Sequence, residues 1–143
     1  MEHDVFISHS SRNSEIAIEV YNSLEKQGIR CWISSIDLRK SIGCDYMIEI
    51  ERAIDACKVY LVIASKQSIE SKWVQYGAHK VLGDNVAGYT NTPIIVFRID
   101  DTQLPIYLRI QQAIDAYPDY NLHIDELAKM IKGLLDEKHL EQV

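Results

Sequence analysis

The sequence predicts an α/β protein of flavodoxin-like build, with a five-stranded parallel sheet in the order 2-1-3-4-5 and helices on both faces. Three observations lead there. Short, wholly apolar runs such as Val5-Phe-Ile7, Val59-Tyr-Leu-Val-Ile-Ala64 and Ile94-Ile-Val-Phe97 read as strands buried on both faces. Between them lie stretches whose apolar residues recur every three or four positions, which is the helical period. The chain has 143 residues, 47% hydrophobic and 25% charged, which is enough for the core of one domain, taken as 1–143. Strand–helix alternation makes βαβ units, and five such strands suggest the doubly wound order.

Each element follows in turn. Val5–Ile7 is the first strand. Over Ser14–Lys26, Ile16, Ala17, Val20, Tyr21 and Leu24 form a helical stripe, and Gly28 is placed to end it. Ile29–Ile33 is the second strand, and Ser34–Gly43 a polar loop. Tyr46–Ala56 is a helix with Met47, Ile50, Ala53 and Ile54 on one face. Val59–Ala64 is the third strand. A helix capped by Ser71 follows, carrying Trp73, Val74, Tyr76 and Ala78. Gly77 lies in its interior, where glycine costs roughly 1 kcal/mol relative to alanine. Pro93–Phe97 and Ala113–Ala116 are the last two strands. Asn121–Leu135 closes the domain, with Ile124, Leu127, Ala128, Ile131 and Leu135 inward. No internal repeat, low-complexity tract or linker interrupts the pattern.

Composition narrows the function. A net charge of −6 argues against a nucleic-acid module, which would carry a basic patch. Cys31, Cys44 and Cys57 are odd in number and lack metal-site spacing, so no disulfide framework and no metal site are expected. Cys31 and Cys57 adjoin apolar runs and are expected to be buried thiols in a reducing compartment. Met1-Glu-His-Asp4 has no basic region leading into an apolar core, and no apolar run is long enough to span a bilayer. A cytoplasmic, non-membrane location is therefore expected.

In a doubly wound sheet, ligands bind beyond the carboxyl ends of the strands, at the switch point between strands one and three. That place is built here from Ser8, His9, Ser10 and Ser11, the Ser34–Gly43 loop, and Ser65 through Gly77. The hydroxyls and N–H groups of Ser8–Ser11 read two ways. They can hold phosphate or ribose oxygens, or Ser11 or Asn13 serves only to cap the next helix. His9, with no partner evident, reads as a surface histidine. Asp37, Arg39 and Lys40 give the loop mixed charge beside the crevice. A receiver domain would need an aspartate where Ser65 stands, a flavin site would need aromatic residues in the later loops, and no phosphate-binding glycine–lysine motif is present.

Four segments, "HDVFISHSS", "GIRCWIS", "AIDACKVYLVIASKQSIESKWV" and "PIIVFRIDD", together resemble the TIR (Toll/interleukin-1 receptor) domain, most of all the bacterial type of antiphage and NAD-consuming systems. The resemblance covers nearly the whole chain and implies the same flavodoxin-like sheet. It also implies an activity. Many TIR domains cleave the nicotinamide–ribose bond of NAD, giving ADP-ribose or a cyclic isomer that signals to a separate effector. NAD would be the substrate, with no further cofactor. Others are adaptors without activity that act by association with other TIR domains.

The resemblance implies that Ser8, His9, Ser10, Ser11, Asp37 and Trp73 border the nucleotide, and that the Ser34–Gly43 loop, with Arg39, Lys40 and Gly43, controls access and assembly. In the enzymes a tryptophan is followed four residues later by a glutamate. Trp73 matches the tryptophan, and Gly77 stands at the glutamate position. A spacing of four puts both on one helix face. A carboxylate there would hold ribose hydroxyls and stabilise positive charge at the anomeric carbon; glycine does neither. The chain is therefore expected to be impaired as an NAD-cleaving enzyme, or else to be a non-catalytic adaptor. Position 77 is expected to face an open crevice that would accept glutamate without loss of stability. Substitution by another acid is a third reading, but the spacing of Glu49, Glu51 and Glu70 does not set them on the Trp73 face. The loop also departs from the family pattern: it lacks a proline and is about two residues longer.

Overall fold

A computed structural model describes residues 3–38 and 45–142. Five strands, β1 (Val5–Ser8), β2 (Cys31–Ile33), β3 (Val59–Ala64), β4 (Ile94–Arg98) and β5 (Gln112–Asp115), form one parallel sheet. Its order is β2-β1-β3-β4-β5, as the alternation of patterns predicts. The central strand shows why the pattern reads so cleanly. Val59, Leu61 and Ile63 enter the core beneath helices α1 (Ser14–Lys26) and α7 (Ile124–Gln142). Tyr60, Val62 and Ala64 enter the opposite core, beneath α3 (Tyr46–Ala56) and α5 (Lys72–Ala87). A strand covered on both faces has no polar alternation to show.

Gly28 ends α1 at φ +84°, the left-handed conformation that favours glycine. Ser71 caps α5 by accepting the Val74 N–H at 3.3 Å. Three short helices replace expected loops: α2 (Ser34–Asp37), α4 (Lys66–Glu70) and α6 (Ile106–Arg109). The first is stapled by Asp37, whose Oδ2 accepts the Ile33 N–H at 2.7 Å. The second starts with a reciprocal cap in which the Ser65 hydroxyl accepts from Ser68 N–H at 3.0 Å and Ser65 N–H donates to Ser68 Oγ at 2.7 Å. Met47, expected inward, is exposed beside Tyr46 and Ile48; the buried face of α3 is Ile50, Ala53 and Ile54. Cys31 and Cys57 are buried free thiols, and burial pushes both well above the usual thiol range. Among the described residues no helix is long and apolar enough to cross a membrane, and no acidic, histidine and cysteine side chains group to hold a metal.

A crevice at the switch point

The carboxyl ends of β1 and β3 open onto two adjoining hollows. The inner one is a slot of about 10 Å³ walled by Ser8, His9, Tyr60, Trp73, Tyr76 and Gly77. That is room for about one water. The outer one is a basin of about 240 Å³ lined by His9, Ser11, Ser14, Ser34, Ser35, Ser71 and Trp73. It falls somewhat below the roughly 300–1,000 Å³ of sites that enclose a whole drug-sized ligand. Its described lining is five serines, a histidine and a tryptophan, without a charged side chain.

The expected residues divide. Ser8, His9, Ser11, Trp73 and Gly77 do meet at the crevice. Ser10 does not line it: its hydroxyl accepts the Arg12 N–H at 3.2 Å and its carbonyl accepts the Asn13 N–H at 2.9 Å, so it caps the 3-10 turn Ser11–Asn13. Asn13 is no side-chain cap; its Oδ1 accepts from the Ser65 hydroxyl at 2.6 Å, tying β3 to the start of α1. Asp37 is absent from the linings of both hollows, its carboxylate engaged with backbone. Arg39, Lys40 and Gly43 lie outside the described residues.

His9 is not a surface histidine. It is buried, with both ring nitrogens engaged. Nδ1 meets the Ser10 carbonyl at 2.8 Å. A carbonyl only accepts, so Nδ1 carries the proton. Nε2 then faces the Ser35 hydroxyl at 3.2 Å as an acceptor. Burial lowers the His9 pKa from its ordinary value, which keeps the ring neutral at pH 7.

The expectation of an open crevice at position 77 is overturned. Gly77 is buried, and a Cβ built on it would stand 2.1 Å from the Tyr60 hydroxyl and 3.3 Å from Tyr60 Cζ. Tyr60 is 0% exposed. Its ring stacks on Phe6 at 5.2 Å, and Phe6 stacks on Trp32 at 5.0 Å, a ladder set by the register of three adjacent strands. The Tyr60 hydroxyl bonds to the Ser8 side chain, while burial raises its pKa. Tyr60 thus fills the volume in which any side chain at 77 would begin. The glycine that looks wasteful within its helix is required by a tyrosine 17 positions earlier (77 less 60).

The ranking of the other acids also changes. Glu51 Oε1 accepts the Tyr76 hydroxyl at 2.5 Å, and Tyr76 stacks on Trp73 at 6.1 Å. Glu51 is thereby joined to the crevice wall, through a bridge that helical spacing on a single element does not reveal. Glu49 pairs with Arg52 at 3.4 Å, and Glu70 is exposed.

Comparisons with known proteins agree with this architecture. The TIR domain family model matches residues 5–131. A protein of Methanobrevibacter olleyae named as a probable 2′ cyclic ADP-D-ribose synthase, TcpO, is 34% identical over 76 residues. The match takes in 52% of this chain but only 22% of that protein. The TIR domain of the Toll-related receptor TRR-2 from Hydra magnipapillata superposes with a TM-score of 0.72 at 16% identity, over 92% of this chain and 98% of that one. A metazoan TIR-STING receptor from C. gigas gives 0.65 at 18% identity, over 90% of this chain and 40% of the receptor. At such identities the two structures speak to the fold alone. With the family model spanning β1 to the middle of α7 and the sheet order matching, the chain belongs to the TIR domain family.

Proposed function

We propose that this TIR domain binds a nicotinamide dinucleotide at the switch-point crevice and cleaves its nicotinamide–ribose bond slowly, as an impaired member of an NAD-cleaving lineage. The observation that carries this reading is the basin itself. Hydroxyls from the β1–α1 turn, from α2 and from the start of α5 converge beside Trp73, the furniture that suits ribose and phosphate oxygens and a stacked ring. The relative named as a cyclic ADP-ribose synthase supports the reaction class. The impairment follows from Gly77: no carboxylate projects from that helix position, and Tyr60 occupies its place. ADP-ribose or a cyclic isomer would be the product, with a separate protein as effector.

The test is NAD consumption, followed by chromatography, in the unmodified chain, in Gly77→Glu and in Tyr60→Phe/Gly77→Glu. The unmodified chain is expected to turn over slowly. The double variant is expected to gain about 10²–10³ in rate, the worth of one charge aimed at a developing cation, about 3–4 kcal/mol. A well-folded double variant with no gain would favour the second reading, an adaptor acting by TIR–TIR association. That reading has its own observation: Tyr46, Met47 and Ile48 are large apolar side chains exposed together on the first turn of α3.

A further inference from the structure

The Ser35 hydroxyl has an arrangement that the proposed cleavage does not use. It lies 3.2 Å from His9 Nε2, and His9 Nδ1–H is fixed by the Ser10 carbonyl at 2.8 Å. This is the geometry of an activated nucleophile: a hydroxyl on an unprotonated base that is oriented from its far side. Among the described residues the hydroxyl proton has one other acceptor in reach, Ser14 Oγ at 3.5 Å, but the imidazole is nearer. Ser14 spends its own proton on the Ser11 carbonyl at 2.8 Å. Ser35 is held in place because Asp37 staples α2 to the end of β2. The pair also faces a basin large enough to admit a reactant beside Trp73.

Two reactions suit a serine and a neutral histidine. Acyl transfer would also need preorganised donors aimed at an oxyanion. Transfer from a pyridinium glycoside needs no such donors, because the leaving group departs by losing its positive charge. We propose that Ser35 is an acceptor of ADP-ribose, modified by this chain itself, with His9 Nε2 as the general base. This rests on the reading that NAD occupies the crevice. The bond from the ribose anomeric carbon to the nicotinamide nitrogen breaks, and its electron pair leaves with neutral nicotinamide. The bond from that carbon to Ser35 Oγ forms, and the hydroxyl proton passes to Nε2. A single slow modification suits a site that lacks the carboxylate for rapid turnover.

The experiment is incubation of the full chain with NAD, intact-mass spectrometry and peptide mapping, alongside an NMR titration with NAD. The expected result is one ADP-ribosyl adduct on Ser35, absent in Ser35→Ala. In His9→Gln the adduct should form about 100-fold more slowly, within the span of general-base effects. Because His9 is buried, its variant is read only if its thermal melt matches the parent. The partly exposed Ser35→Ala and a Ser35→Thr variant, which keeps a hydroxyl, carry the test otherwise. NAD-induced shifts at Trp73 without any adduct would overturn the acceptor role and leave nucleotide binding standing. An adduct that persists in Ser35→Ala would overturn it as well. No shifts at all would remove the proposed function and this inference together.

Discussion

The Tyr60–Gly77 contact makes a sharp prediction, because helix propensity and packing call for opposite signs. Gly77→Ala in a free helix would gain about 1 kcal/mol. Here the new Cβ must move the Tyr60 hydroxyl from 2.1 Å to the 3.4 Å of ordinary contact, a displacement of 1.3 Å (3.4 less 2.1). Tyr60 is fully buried and stacked in the Trp32–Phe6–Tyr60 ladder, so it cannot swing aside. Overpacking of this kind costs about 3 kcal/mol, the upper end of its usual range. The net expectation is a loss of about 2 kcal/mol, or about 6–8 °C in Tm for a chain of this size. Tyr60→Phe alone should cost about 1 kcal/mol by leaving the buried Ser8 hydroxyl without its partner. In Tyr60→Phe/Gly77→Ala the nearest atom becomes Cζ at 3.3 Å, which a small adjustment accommodates, and the helix gain is recovered. The double variant should sit within about 1 kcal/mol of the parent, a coupling of about −3 kcal/mol, between about −2 and −4. Urea denaturation of the four proteins, followed by circular dichroism, measures that coupling. A Gly77→Ala chain more stable than the parent, or a coupling near zero, would refute the reasoning.

Other outcomes follow from the same geometry. Ser65→Ala removes the bond to Asn13 and one half of the α4 cap, leaving a buried amide oxygen unsatisfied; it should lower stability by about 1–3 kcal/mol in the same assay. Trp73→Ala should weaken NAD binding in calorimetry with little change in Tm, since Trp73 is 38% exposed on the rim. Glu51→Gln should lower any residual NAD cleavage, because Glu51 is the acid tied to the crevice wall through Tyr76, while Glu70→Gln should leave the rate unchanged; the reverse pattern would refute this ranking of the two acids. Acid should destabilise the fold through His3 and His9, both buried with pKa values lowered chiefly by burial. The unfolded chain takes up these protons first as pH falls below about 6.5, so stability is unaffected above that pH and declines below it, by at most about 1.4 kcal/mol per pH unit for each histidine. His9→Gln should remove its share of that slope, and a slope unchanged in the variant would show that His9 does not contribute.

The sequence by itself determined the parts of this protein that depend on local period. Apolar runs of three to six residues and helical stripes between them dictate parallel strands and covering helices. The relation of Trp73 to position 77 is likewise local, one turn of one helix. Even there, α2, α4 and α6 are too short, at four or five residues, for a period to show. What only the tertiary structure decided are the meetings between elements. Tyr60 reads as one more apolar residue of a buried strand until the sheet register stacks it on Phe6 and its hydroxyl reaches α5. His9 and Ser35 come from the ends of adjacent strands, and Glu51 and Tyr76 from two helices on the same face of the sheet. Periodicity reports which face of an element is buried, but not which atom of a distant element it meets. The meaning of Gly77 lies in that second kind of information: a glycine that its own helix disfavours is held there by a hydroxyl from a neighbouring strand.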